Sequence, residues 1–452
     1  MNPLKFIPQV LQGYIAQHPQ FSKILENIGW LFFDKILRMG LGLLIGVWIA
    51  RYLGPEQFGL LSFAIAFTWL FSAVSTLGLP EIVVRDLVRE PDTKLETLGT
   101  AAALLLLGGI LTYCLILTTI FWIRPEDILA KVVVAILGSV VLFKASEIAI
   151  YWFESQVTSK YTVWVQNGSF LICAGIKVLL ILYGTPLIAF AWAMLAEALL
   201  VAIMLSIMLG LHGPRLQQLL VSLTRAQILL KDSWPLLLSS IAVVVYMKID
   251  QIMLGQMVGD EAVGIYSAAV RVSEVWYFIP TTIVASVFPV ILKARNSSEE
   301  QYYKKLQHLF DLMLWLSISI ALPMTFLSET VVMVLFGEAY LAASSTLSIH
   351  IWASVFVFLG VANSKWFIAE NRQVLSFYRT TAGAFTNVLL NFLFIPRFQE
   401  IGAATATIVS YATATIISDL FQKETRILFF MKIKSFNLLK VISRIKILKY
   451  TL

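Results

Sequence analysis

The sequence predicts an all-α polytopic membrane protein of about twelve transmembrane helices, built as two six-helix lobes related by a pseudo-twofold axis along the membrane normal. Three observations carry this expectation. Of 452 residues, 59% are hydrophobic and only 13% charged, and the mean hydropathy is +0.82. Soluble domains run near 25% charged, so this much apolar surface cannot be hidden in one water-soluble core. Apolar runs of about 20 residues recur along the chain, long enough to cross roughly 30 Å of hydrocarbon as helices that satisfy their own backbone hydrogen bonds. Finally, residues 50–66 (ARYLGPEQFGLLSFAIA) and 255–271 (GQMVGDEAVGIYSAAVR) match at an offset of 205, pairing Gly54 with Gly259, Glu56 with Glu261, Gly59 with Gly264, Ser62 with Ser267 and Ala64 with Ala269. Each copy lies between two apolar runs, as the outer turn of a membrane hairpin would, and a duplicated bundle points to a transporter.

Residues 1–25 mix Pro3, Lys5, Pro8, His18 and Pro19 without a continuous apolar stretch, which suits a cytoplasmic or interfacial segment and not a removable signal peptide. Spans then follow at 26–50, 59–79, 98–123, 128–153, 162–183 and 186–210, making an N-lobe over 26–211. A polar stretch, 212–228, reads as a cytoplasmic linker. Spans at 229–254, 262–292, 307–327, 343–369, 378–396 and 401–425 make a C-lobe over 229–425. An even number of spans per lobe sets both repeats the same way up, and Trp152-Phe153 and Trp366-Phe367 end corresponding spans. Residues 426–452 interleave apolar positions with Lys432, Lys434, Lys440, Arg444, Lys446 and Lys449, the pattern of a basic amphipathic tail on an anionic inner leaflet or of a docking site for a partner.

On this topology only Arg51, Arg124, Lys131 and Arg397 fall on one side, while the other loops and the tail hold the remaining Lys and Arg outside the spans, so both termini are expected in the cytoplasm. The net charge of +7 is then a topology signal and implies no nucleic-acid partner. Cys114 and Cys173 lie inside spans without metal-ligand spacing, the four histidines are scattered, and no GxxxxGK[ST] loop is present. Neither an enzyme, an ATP-hydrolysing pump nor a cofactor is expected.

The string LLIGVWIARYLGPEQFGLLS at 43–62, followed by TLGLPEIVVRD at 76–86, resembles the amino-terminal signature of Wzx-type flippases for lipid-linked oligosaccharides, within the superfamily of multidrug, oligosaccharide-lipid and polysaccharide exporters. DQIMLG at 250–255, GIYSAA at 264–269, NVLLNFLFIP at 387–396 and IGAATAT at 401–407 extend the resemblance over about residues 26–425. It implies a V-shaped carrier in the inner (plasma) membrane that moves a polyprenyl-diphosphate oligosaccharide to the outer leaflet by alternating access, for O-antigen, capsule or exopolysaccharide synthesis. The implied partners are that lipid, the surrounding membrane lipids and a polysaccharide polymerase complex. The alternatives are a cation-coupled multidrug exporter, a peptidoglycan-lipid flippase, which would have two further spans, and a non-transporting scaffold for glycan enzymes.

Ionisable groups within spans cost roughly 2.5–3.5 kcal/mol on insertion scales, so each needs a partner, water or a function. Asp34 and Arg38 are spaced i,i+4, beside Lys35. Lys144, Glu147, Tyr151 and Glu154 share one face of a regular helix, a polar stripe that would line a cleft or meet a neighbour. Lys248 lies eleven residues before Gly259 and Arg271 twelve after it, roughly 16–18 Å below the turn at 1.5 Å per residue. Two cations at one depth suit a diphosphate or an acidic sugar, unless Glu274 and Asp250 neutralise them. Lys177 and Glu197 flank the turn at Leu187 symmetrically, either as an ion pair or with Lys177 in a cationic cleft and Glu197 as a coupling group. The expected substrate-binding set is therefore Arg271, Lys248, Lys144 and Lys177, with Glu197, Glu147, Glu274 and Asp250 as coupling or ion-pair groups. Lys365, Glu370 and Asp419 lie near the cytoplasmic boundary, where snorkelling explains them. Pro280, Pro289 and Pro323 each remove a helical hydrogen bond and are hinge candidates. Trp276 and Tyr277, beside Arg271, are belt residues or platforms for sugar rings.

Overall fold

The computed structural model describes residues 19–437, which are helical apart from short connections, with no strand among them. The expected N-terminal segment before residue 19 and the basic positions Lys440, Arg444, Lys446 and Lys449 lie outside the described residues. The helices run α1 (Pro19–Ser75), α2 (Leu79–Arg89), α3 (Lys94–Ile123), α4 (Ile128–Gly138), α5 (Ile148–Ser155), α6 (Lys160–Leu182), α7 (Leu187–His212), α8 (Leu223–Met257) and α9 (Asp260–Glu274). They continue as α10 (Phe278–Ser297), α11 (Glu299–Phe336), α12 (Ala343–His350), α13 (Ala353–Ala369), α14 (Gln373–Thr415) and α15 (Arg426–Ser435).

Ten helical stretches among the described residues are long and apolar enough to cross a membrane. The two longest, of 61 and 48 residues, far exceed one crossing of about 20, and each is broken where the sequence places a turn. In α1 the break is Gly54, at φ 74° and ψ 171°; in α14 it is Gln399, at φ 47° and ψ −127°. A Cβ on Gly402 would lie 2.6 Å from the Phe394 oxygen. Residues eight apart in a continuous helix are separated by about 12 Å of rise, so the chain doubles back across Gln399.

The chain forms two compact units. One holds the described residues up to Tyr52 together with Phe67–Ile241; the other holds Leu53–Ala66 and the residues from Ala242 onward. The stretch 212–228, expected to be a cytoplasmic linker between the lobes, is fastened into the first unit: the Leu220 amide donates to the Leu95 oxygen at 3.3 Å and the Ser222 amide to Thr100 Oγ1 at 3.1 Å. A Cβ on Gly99 would lie 2.3 Å from the Leu220 oxygen, so glycine is what lets the strap close. The first part of α8 joins the strap in this unit, and the unit boundary falls inside α8.

That attachment depends on α2, a short amphipathic helix that the pattern of apolar runs does not separate from the loop after the second span. Pro80 and Glu81 occupy its first turn and Arg89 its last, which suits a helix start and the macrodipole. Leu79, Ile82, Val83 and Leu87 face the core, packing with Leu98, Leu105, Ile148, Phe153, Leu205 and Leu209. On the same helix Asp86 meets Arg225 at 3.0 Å and Arg85 at 2.8 Å, while Glu90 meets Arg225 and Arg85 meets Asp232, at 2.7 and 2.5 Å.

In the second unit the core joins Leu309, Phe310, Met313, Phe358, Leu359 and Phe367 to Leu428 and Met431 of α15. The expected membrane-surface tail therefore begins as a core element. Lys432 is fully buried, and the Trp315 indole donates to the Ser435 oxygen at 3.0 Å.

The sequence repeat is the site of a reciprocal contact within this unit. Gly54 and Gly259 both adopt positive φ, a region that costs other residues roughly 1–2 kcal/mol. Five residues after each, Gly59 and Gly264 face each other: a Cβ on Gly59 would lie 1.7 Å from the Asp260 oxygen, and one on Gly264 would lie 2.0 Å from the Pro55 oxygen. Both helices thus meet backbone to backbone.

Gly59→Ala and Gly264→Ala should each lower unfolding stability by about 1–3 kcal/mol, and the double substitution should cost less than the sum, because both methyl groups force apart one contact. Strictly additive losses in denaturant titrations would argue against the shared contact.

Candidate functional site

In the first unit the expected cations have partners. Lys177 on α6 and Glu197 on α7 meet at 2.7 Å across their hairpin, the ion-pair alternative of the two that the sequence allows. Asp34 and Arg38 pair at 2.9 Å, with Asn167 Oδ1 accepting from the Arg38 Nε at 3.4 Å. Lys144 donates to Glu147 at 2.7 Å, and the Tyr151 hydroxyl to the other Glu147 oxygen at 3.4 Å. Of the stripe expected from Lys144 to Glu154, Lys144, Glu147 and Tyr151 stay in contact and Glu154 does not join them. Ser139–Glu147 tightens to a 3₁₀ helix, whose three residues per turn eclipse Lys144 with Glu147 and rotate the residues after them. Tyr151 is buried, whereas Glu154 is exposed.

In the second unit the two cations flanking Gly259 differ in their surroundings. Lys248 lies 3.9 Å from Glu274. Asp250, the other candidate counter-ion, accepts from the Tyr266 hydroxyl, from Thr407 Oγ1 at 3.2 Å and from the Gln251 amide at 2.9 Å. Arg271 makes no hydrogen bond or ion pair among the described residues. Its guanidinium sits 5.2 Å from the centre of the Phe58 ring, within cation–π range. Pro289 and Pro323 lie inside α10 and α11. Pro280 falls in the first turn of α10, after a 3₁₀ turn at Val275–Tyr277, where its missing N–H breaks no helical bond.

A further charge cluster has no counterpart among the sequence expectations. Asp419 meets Lys432 at 2.5 Å and Arg379 at 3.3 Å. The Thr415 oxygen accepts from both cations, at 2.6 and 3.3 Å. With its amide oriented by these donors, Asn363 accepts from Arg379 and Lys432 at 2.8 Å. By position in the chain alone, Arg379 and Lys432 count as cytoplasmic surface charges. The one signal pointing to the cluster is Asp419, an acid within an apolar run, which demands a cation without saying which. Lys432, which lies beyond the last span, feels its burial most: desolvation pulls the ammonium from 10.5 down to about 7, with Asp419 opposing and Arg379 adding to the fall. Elsewhere on this unit, Arg295 pairs with Glu370 at 3.0 Å, and Lys365 lies 5.5 Å from the centre of the Phe288 ring.

Arg379 also forms part of the wall of a cavity of about 400 Å³ within the second unit. Tyr246, Tyr277, Tyr411 and Phe356 supply its aromatic surface, and Tyr246 stacks on Tyr411 at 4.4 Å. Tyr277, expected as a belt residue or a sugar platform, is therefore in this wall. Among the described residues no group of three His, Cys, Asp or Glu side chains could hold a metal ion.

Residues 24–295 match the family described as polysaccharide biosynthesis protein, and residues 235–393 match the MatE family. A curated relative from Haloferax volcanii, described as a probable low-salt glycan biosynthesis flippase, Agl15, is 22% identical over 86% of this chain and 81% of its own length. Among solved structures, the lipid II flippase MurJ in an inward closed conformation superposes with a TM-score of 0.71 at 18% identity, over 93% of this chain and 92% of its own. An inward-facing multidrug-resistance MATE transporter gives the same score at 14% identity, over 90% and 99%. At these identities the likeness establishes the helical fold.

Asp419→Asn should destabilise the purified protein by about 3–5 kcal/mol, because two buried cations lose their counter-charge; a loss below about 1 kcal/mol in denaturant unfolding would contradict the cluster. The unfolded chain holds the Lys432 proton up to 10.5 and the native chain only to about 7, so the unfolded state binds more protons between those values and stability rises with pH across them. Thermal unfolding midpoints should climb over that window and flatten in Lys432→Met.

Proposed function

Since this chain belongs to the polysaccharide biosynthesis protein family, we propose that it is a flippase carrying a polyprenyl-diphosphate-linked oligosaccharide from the cytoplasmic to the outer leaflet by alternating access. The observation that carries this reading is Arg271, a guanidinium in mid-span whose close partner is an aromatic face and not a carboxylate. A cation in mid-span is costly unless something matches it, and a planar fork of N–H donors matches the oxyanions of a diphosphate.

Lys248 stands by as a second cation. It lies 3.9 Å from Glu274, and its ammonium is a mobile point charge that suits a phosphate oxygen. Lys144 and Lys177, both held by short ion pairs, contribute to binding only if Glu147 and Glu197 release them. Those two acids, with Asp250, are the groups through which ion or proton coupling would act. Pro289 and Pro323 are the hinge candidates that remain inside helices. The inner membrane as its location follows from the flippase reading, and cytoplasmic termini from the distribution of Lys and Arg.

In cells depending on this protein, Arg271→Ala should reduce lipid-linked glycan at the outer leaflet by at least roughly tenfold, the equivalent of one charged hydrogen bond, at unchanged membrane abundance. Arg271→Lys should restore part of it. Unchanged export in Arg271→Ala would remove the arginine from the translocation site, and efflux of organic cations without glycan export would favour the multidrug-exporter reading.

A further inference from the structure

The cavity of the second unit is lined by residues other than Arg271 and Lys248. Its walls are largely apolar, with Val243, Met247, Phe356, Val357 and Val361 around the tyrosine pair. One permanently charged group, Arg379, faces it. About 400 Å³ lies within the roughly 300–1,000 Å³ of small-molecule pockets. Val243 is 40% exposed, so the cavity opens at the surface of the unit.

Behind the wall, Asp419 is a single carboxylate shared between two cations. With Lys432 protonated, the cluster carries one surplus positive charge in an apolar setting, and the guanidinium is the part of it that reaches the cavity. The hydroxyls of Tyr246 and Tyr411 make no hydrogen bond among the described residues, which leaves them available beside that charge.

These features select a ligand by elimination. A surplus of at most one charge matches a monoanion; a phosphate monoester carries about −1.5 to −2 at neutral pH. A free sugar would give up water from several hydroxyls for walls that return few hydrogen bonds, at a cost of about 1–3 kcal/mol for each unpaired group. A two-chain phospholipid is larger than the cavity. We propose that this cavity binds a single-chain amphiphilic carboxylate, its head against Arg379 and its apolar body along Phe356, Val357 and Val361. The site lies on the lobe that also carries Lys248 and Arg271.

Binding of radiolabelled decanoate to the purified full-length protein in phosphatidylcholine nanodiscs tests this. Saturable binding near one per protein is expected, with decanol and decyltrimethylammonium competing at least roughly tenfold more weakly, the value of one charged hydrogen bond. Arg379→Gln should reduce affinity by the same factor. Because Arg379 is also part of the buried cluster, Ser376→Trp provides a second probe: it fills the cavity from a wall that does not touch Asp419, and should abolish binding with the thermal midpoint of the protein retained. Equal competition by decanol, binding that survives both substitutions, or complete displacement by phosphatidylglycerol in the disc would each overturn the proposal. Decanoate binding is read without transport, so its absence alongside intact glycan export would sink the cavity site alone, and its presence without glycan export would leave it standing while the flippase reading fell.

Discussion

A hydrocarbon layer offers neither water nor counter-ions, so an ionisable side chain set into an apolar run commits the chain to finding it a partner. Much of the tertiary structure answers to that constraint. Lys177 and Glu197 lock the α6–α7 hairpin at one depth. Arg225, reaching Asp86 and Glu90, fastens the start of α8 to α2. Asp419 gathers Arg379 from α14 and Lys432 from α15, drawing a basic helix into the core of the second unit. Such pairs add little net stability, because desolvation offsets most of the attraction, but removing one member is costly, so they define which elements meet.

Packing between helices in lipid gains nothing from the hydrophobic effect, since acyl chains are as apolar as leucine; close approach and dispersion must supply it. The glycines sit where that approach is tightest. Gly59 and Gly264 bring two repeat copies together backbone to backbone, while Gly78 meets the Ser233 oxygen and Gly99 the Leu220 strap. Duplication placed equivalent small residues in both copies, and the two copies then became each other's partner.

The exceptions to charge matching carry the functional reading. Arg271 rests on an aromatic ring, and Arg379 presents part of a shared charge to a cavity. Under the same constraint that makes ion pairs obligatory elsewhere, an incompletely matched cation is a standing invitation to an anion.

The sequence by itself determined the class of protein, because composition and the length of apolar runs report directly on solvent: so many apolar residues can only be helical and membrane-embedded. It also located the turn at Gly54 and its echo at Gly259, since positive φ selects glycine at single positions. The i,i+4 pairing of Asp34 with Arg38 was legible for the same local reason. Only the tertiary structure decided which charges meet over long separations. Glu154 left the expected stripe once Ser139–Glu147 tightened to 3₁₀, a change of about 20° of rotation per residue that a pattern read at a fixed helical period cannot register. Lys432 read as a surface lysine because its counter-ion lies in another element, as do Arg379 and the cavity beside it. Pairing across elements depends on how helices pack, and packing is a property of the whole chain that no window of sequence contains.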